Sequence, residues 1–275
     1  MAKSLILNIP HSSSFIPSED VSSAFLPHIG SSRFIDALRH PERNPASQKR
    51  DELIRQELLV MTDWYTDELF NHCLGMAVIT PVSRLVCDTE RFSHDSLEPM
   101  AREGMGYCYT NGSQCQVIKQ FNDEYKDEIL WRYYAPHHIA LTDAVGDSLL
   151  SSGSALILDC HSFSSKPLPY EKIQNNDRPD ICIGTDTFHT PKSLSSLVQK
   201  FFSTRGYKVS FNTPYSGTMV PIHYYHKDGK VHSVMIEINR SLYLDEASAE
   251  KNSEFKNILS DIFDLEMLLT LSKIQ

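Results

Sequence analysis

Residues 155–162 read Ala-Leu-Ile-Leu-Asp-Cys-His-Ser, and this octapeptide decides the fold class. Its opening apolar run lacks the strict alternation of a strand with one wet face, so it reads as a strand covered on both sides, the kind found between layers of helix. Residues 5–12, Leu-Ile-Leu-Asn-Ile-Pro-His-Ser, have the same character and the same ending. Working outward, further strands are expected at 76–80, 85–88, 181–184, 207–211 and 231–238, with stretches of helical period at 48–60, 63–74, 116–150, 192–204 and 247–271. Such alternation predicts an α/β fold, a single domain with a mostly parallel, twisted sheet and helices on both faces. Pro136 falls inside the 116–150 stretch, where it removes a backbone donor and clashes with the preceding turn; two helices or one kinked helix should result. Segments 93–115, 164–180 and 212–230 read as long irregular loops, a class that often carries function.

Composition narrows the functional classes. The 275 residues are 41% hydrophobic and 22% charged, which suits one enzyme-sized domain spanning 1–275 and excludes a disordered chain. Lys and Arg number 26 against 35 Asp and Glu, a net charge of -9 with no local basic patch, so neither nucleic acid nor an anionic membrane is an expected partner. No apolar run approaches the ~18 residues of a membrane helix. The six cysteines, at 73, 87, 108, 115, 160 and 182, form no paired metal-binding spacing. The opening MAKSLILNIPH also lacks the pattern of a secretory signal, and a cytoplasmic location is expected.

Chemistry is expected at the carboxyl ends of the strands, where open parallel sheets bind ligands. His11 and His161 each leave a strand at that edge. Two imidazoles so placed suit zinc, which also wants a carboxylate or third histidine and an open position for water. Alternatively, each ring caps a strand by bonding a backbone carbonyl. Glu237 lies within an apolar strand, on the face that alternation gives to Met235, Glu237 and Asn239. There it either pairs with an arginine such as Arg240 or acts as general base beside a metal-bound water. Arg84 and Arg91 bracket Asp88 and Glu90 in the run from Ser83 to Arg91. They can clamp a substrate carboxylate or pair with those acids. Asp63 follows Thr62 at a helix start, where a capping role competes with a place in the site. Of the other histidines, His28, His40, His72, His94, His189 and His226 read as surface residues.

Taken together, these residues resemble the N-formylglutamate amidohydrolases, a family related in fold to the zinc carboxypeptidases. The matching segments are Pro10-His11-Ser12 with Ile16-Pro17, Thr62-Asp63-Trp64 with Asp67-Glu68-Leu69, Ser83-Arg84 through Asp88 to Arg91, Pro136 with His138, Asp159-Cys160-His161-Ser162, Pro179-Asp180 through Gly184-Thr185, and His232 through Glu237 to Tyr243. The resemblance implies a zinc-carboxypeptidase-like hydrolase fold with one zinc ion per chain on His11 and His161, and Glu237 as the catalytic glutamate. His11-Ser-Ser-Ser14 has no carboxylate at the fourth position of the carboxypeptidase His-x-x-Glu pattern, so the third ligand comes from elsewhere. Asp63 is expected to supply it, with Glu19 and Asp159 as alternatives. Arg91, with Arg84, resembles the substrate-carboxylate arginines. The loop 212–230 resembles the stretch before the last strand and offers His223 as a substrate contact; His138 and His232 are candidates for supporting roles. The implied reaction is hydrolysis of a small anionic N-acyl amino acid, N-formyl-L-glutamate to glutamate and formate. A deacylase or carboxypeptidase acting on another small amide, or a non-catalytic carboxylate-binding relative, is the alternative.

Overall fold

Strands β1 (Leu5–Ile9), β3 (Ala155–Phe163) and β6 (Val231–Asn239) are buried at every residue, as their apolar sequences require. With β2 (Gly75–Ile79), β4 (Ile181–Gly184) and β5 (Val209–Phe211) they form one six-stranded sheet of order β2-β1-β3-β6-β4-β5 in a computed structural model that describes residues 5–26, 45–71 and 75–272. The pairs β2·β1, β1·β3 and β3·β6 are parallel, β4 runs antiparallel to β6, and β5 is parallel to β4. The expected α/β fold, mostly parallel but mixed, is therefore observed.

Helices in chain order are α1 (Ser18–Ser23), α2 (Pro45–Met61), α3 (Thr66–Leu69), α4 (Asp123–Ile129), α5 (Ala135–Ser152), α6 (Lys192–Ser203) and α7 (Phe255–Leu271). Alternation along the central strands sends side chains into two cores. Leu5, Leu7, Leu156, Leu158, Val234 and Ile236 pack with the buried faces of α6 and α7. Ile6, Ala155, Ile157 and Val231 pack with Leu141, Ala144 and Val145 of α5 on the other side. Helices on both faces thus follow from period-two burial of strands that carry apolar residues on each face.

Four expectations need correction. Residues 85–88 are not a strand: the amides of Val86 and Cys87 turn back to the Ser83 carbonyl, and Asp88 N–H donates to the Tyr107 carbonyl. Their apolar side chains are buried in two satellite clusters away from the sheet, which accounts for the strand-like sequence. The helix expected over 116–150 begins only at Asp123, where the Asn122 side chain accepts from the Tyr125 amide. A π-helical turn, Leu130–Tyr134, then runs on into α5 just ahead of Pro136, so the proline falls where the regular α-helical ladder is already interrupted. Within 63–74 only Thr66–Leu69 is helical among the described residues, and 247–254 form part of a small hairpin, β7 (Leu244–Asp245) with β8 (Glu250–Lys251), ahead of α7. The three long loops are largely irregular, with one 3-10 turn at Pro99–Glu103. His28, His40, His72 and Cys73 lie outside the described residues.

Gly184 ends β4 opposite Met235, and a Cβ there would stand 2.2 Å from the Gly217 carbonyl oxygen. Backbone cannot move aside as a side chain can. Gly184→Ala should therefore lower stability by about 1–3 kcal/mol through overpacking, read as a lower urea midpoint with an unchanged slope.

Candidate active site and metal centre

Sheet register builds the site. Parallel pairing sets His161 directly beside Glu237, and Asn8 beside Asp159. Side chains at paired positions of neighbouring strands share a face, about 4.8 Å apart. His11 follows β1 at the same edge. Asp63 is carried in by the turn after α2, whose backbone is tied to the site because Asp63 N–H donates to the His11 carbonyl at 3.0 Å. Its side chain is not a helix cap: Oδ2 accepts from the Ser162 amide at 3.2 Å, and Oδ1 accepts from Arg240 Nη2 at 2.8 Å.

The two imidazoles are oriented alike. Asp63 Oδ2 lies 3.2 Å from His161 Nδ1 and 3.7 Å from His11 Nδ1, and His11 Nδ1 is buried with no hydrogen-bond partner. At the far side of each ring, Nε2 meets carboxylates. His11 Nε2 is 2.8 Å from Asp88 Oδ1; His161 Nε2 is 3.1 Å from Asp159 Oδ1 and 3.2 Å from Glu90 Oε2. A carboxylate at Nε2 holds the proton there and turns the Nδ1 lone pair inward, the arrangement seen behind metal-binding histidines. One ligand atom each from His11, Asp63 and His161 lies within 4.8 Å of the other two, and all three residues are buried.

Electrostatics point the same way. Five carboxylates, Asp63, Asp88, Glu90, Asp159 and Glu237, crowd the site against the guanidiniums of Arg84, Arg91 and Arg240. Among the described residues, the buried acids here outnumber the buried guanidiniums, an excess that a bound cation would offset. Burial, with Asp63 adding to it, pushes the Glu237 carboxyl up to about 8 against the opposing charges of His161 and Arg240. Burial and the neighbouring Asp159 likewise raise Glu90. Asp63 goes the other way: burial would raise it, but the His11 and His161 rings and Arg240 hold it well below the usual carboxylate range. The donor set, the unpartnered Nδ1 and the charge balance all fit a metal ion.

These groups open on a cavity of about 330 Å³, lined also by Arg84, Arg91, Met100, Tyr170, Lys172 and Tyr215. Glu237 presents Oε2 without a hydrogen-bond partner. Its expected competitor for a structural role, an ion pair with Arg240, does not form, because the guanidinium is taken by Asp63 and by Ser162 Oγ at 3.1 Å. Arg84 and Arg91 line the cavity while also facing one carboxylate, Asp88 Oδ2, at 2.9 and 3.5 Å. Sharing one acid leaves cationic surface toward the cavity.

Other candidates fall elsewhere. Glu19 is exposed and pairs with Arg132, and Asp159 lies behind His161 at Nε2, so neither joins His11 and Asp63. His223, expected as a substrate contact, is exposed and absent from the cavity lining. Its neighbour Tyr224 packs onto the α5-side core, which fixes that part of the loop away from the site; Tyr215 and Ser216 of the same loop line the cavity instead. His189 is not a surface residue: it is 0% exposed and bonded at both ring nitrogens, to the Val231 carbonyl and the His226 amide. His94 is exposed, and His226 is half-exposed beside Asp186. His138 lies at 2.8 Å from the Thr89 carbonyl, and His232 is buried at the start of β6. Sequence reasoning missed Asn8, Glu90 and Tyr109. Asn8 carried a readable signal, a polar residue inside an apolar strand.

The N-formylglutamate amidohydrolase family model matches residues 3–244. The chain belongs to this family. A curated member from Pseudomonas aeruginosa, an N-formylglutamate deformylase, is 24% identical over 68% of this chain and 73% of its own length. Among solved structures, an N-formylglutamate amidohydrolase from Ralstonia eutropha JMP134 superposes with a TM-score of 0.72 over 98% of this chain and 93% of that one, at 22% identity. A gene product of Agrobacterium tumefaciens gives 0.56 over 97% and 89%, at 16% identity. At these identities the structural likenesses speak to the fold, while the family model carries the membership.

Within this amidohydrolase, Asp88 is the anchor to test. Burial would raise its carboxyl, but His11, Arg84 and Arg91 hold it well below the ordinary range. A carboxylate depressed on folding contributes its full stability above the unfolded value of about 4, and loses it as the pH falls toward the folded value. Asp88→Asn leaves two guanidiniums without their acid and should cost about 3–5 kcal/mol at pH 7. The gap to wild type, measured by urea unfolding, should narrow as the pH is lowered below about 4.

Proposed function

We propose that residues 1–275 form one amidohydrolase domain that cleaves the amide bond of N-formyl-L-glutamate to glutamate and formate, with one zinc ion held by His11, Asp63 and His161. The observation that carries this reading is the convergence of both Nδ1 atoms and Asp63 Oδ2 beside the unpartnered Glu237 Oε2 at the cavity wall. Family membership and the names of the relatives supply the substrate class. Zinc bound there would lower the pKa of a water and polarise the formyl carbonyl.

The chain's own groups do the rest. Glu237 Oε2 takes a proton from the attacking water as the new C–O bond forms at the formyl carbon. It then returns that proton to the glutamate nitrogen as the C–N bond breaks. Burial raises the proton affinity of this carboxylate, which strengthens it as a base toward the water. Arg91 and Arg84 receive the carboxylates of the glutamyl moiety, and the guanidinium fork suits that planar group. Tyr170 and Tyr215 wall the cavity and limit the room for bulk water. The free thiols among the described residues fit a reducing, cytoplasmic setting.

Purified protein should hold about one zinc per chain, and chelation should abolish deformylation, with recovery on adding zinc back. Full activity in metal-free protein would overturn the reading. Glu237→Gln should retain zinc while kcat drops by about 10²–10⁴-fold. Arg91→Ala should act mainly on KM. A hydrogen bond to a charged group contributes about 1.5–3 kcal/mol, so KM for N-formylglutamate should rise about ten- to hundred-fold. A panel of N-formyl, N-acetyl and short peptide amides, scored by kcat/KM, tests the substrate assignment; preference for another member would replace it.

A further inference from the structure

Behind His161 a chain of buried polar groups runs through the sheet to α5. Asn8, 0% exposed, donates from Nδ2 to two carboxylates at once, Asp159 Oδ1 at 2.8 Å and Glu90 Oε1 at 3.0 Å. The reversed amide would set its oxygen against both acids, so this orientation is forced. Asn8 Oδ1 must then accept, and its partner at 2.9 Å is His137 Nε2. That nitrogen therefore carries the proton of the His137 ring. Burial pushes the His137 pKa down to about 3, leaving the ring neutral at pH 7 and its Nδ1 an acceptor. The Thr80 hydroxyl, 3.1 Å from Nδ1, donates to it, and the Thr89 hydroxyl at 2.9 Å donates in turn to Thr80. Every bond now points one way, from Thr89 toward the Asp159 and Glu90 carboxylates. With Asp159 Oδ2 also accepting from the Met219 amide at 2.7 Å and Oδ1 from Asn8, Asp159 faces His161 Nε2 as an acceptor.

We propose that Asn8 and His137 are positioning residues which, through this one-way chain of hydrogen bonds, hold the His161 proton on Nε2 and keep Nδ1 as a donor for the metal. The inference rests on the zinc reading above for its consequence, but not for the chain itself. Neither residue touches the cavity ligands directly: both act through Asp159 and Glu90. Replacing His137 by leucine removes the donor to Asn8 Oδ1 and leaves that buried oxygen unsatisfied, which loosens the hold of the amide on both acids. Glutamine at the same position keeps an N–H donor and a carbonyl acceptor.

Two measurements decide it. In metal-free wild-type protein at pH 7, long-range ¹H–¹⁵N NMR should find His137 neutral with its proton on Nε2; a proton on Nδ1, or a charged ring, overturns the chain. Zinc affinity is then read by competition with a chromophoric chelator, on variants whose near-ultraviolet circular dichroism matches wild type. Groups bonded directly to a metal ligand typically contribute about 10–100-fold to affinity; His137 acts from further back through Asn8, so His137→Leu should weaken zinc binding by the lower end of that range, about ten-fold, while His137→Gln recovers most of it. Equal affinity in wild type and His137→Leu overturns this inference alone. A wild-type chain that takes up no zinc overturns the metal reading and this one with it.

Discussion

One carboxylate organises the site. Asp88, buried between the sheet edge and the 93–115 loop, meets His11 Nε2, Arg84, Arg91 and the Tyr109 hydroxyl, the last at 2.6 Å. Through His11 it reaches the face proposed to hold the metal; through the arginines it sets the wall proposed to receive the substrate. Such an acid is retained at a cost in desolvation that only full satisfaction of its lone pairs offsets. The same group therefore ties the orientation of His11 to that of the two arginines, and neither can be moved without disturbing the other.

Around that anchor the site carries more acid than base, and this excess gives the buried charges their meaning. A structural ion-pair network would tend toward neutrality, because an uncompensated charge in a low-dielectric interior is expensive. Here Glu237 and Glu90 are both shifted toward their neutral forms by burial and by neighbouring acids. A cation at the Nδ1 atoms would relieve exactly these two groups and also displace a proton from His161, whose ring Glu90 and Asp159 hold well above its ordinary pKa despite burial.

Much of this was legible in the sequence where local rules apply. The strands bearing His161, Glu237 and the approach to His11 were readable because burial on both faces leaves an apolar run. Leu85 to Cys87 deceived for the same reason: small clusters off the sheet also demand apolar residues, and periodicity cannot tell the two apart. The pairing of His161 with Glu237 was not readable, since register between strands some seventy residues apart is decided by the whole sheet. Nor was the exposure of His223 or the burial of His189, which depend on how loops pack. Asp63 was placed beside the histidines only by resemblance to a family, because nothing in Thr62-Asp63-Trp64 itself distinguishes a ligand from a cap.

The reversal of β4 against β6 has a consequence for how such a protein diversifies. Because Ile181 pairs with Ile238, β4 enters the sheet at the same rim where β3 leaves it. The segment 164–180 between them needs no crossover and stays at the cavity, contributing Leu168, Tyr170 and Lys172. It is fastened there by Arg178 and the Tyr215 hydroxyl, which both bond Glu171 at 2.8 Å. In effect it is a cassette, clipped in at both ends on the reactive rim and separable from the strands that hold His161 and Glu237. New selectivity can be written there while His161 and Glu237 keep their spacing.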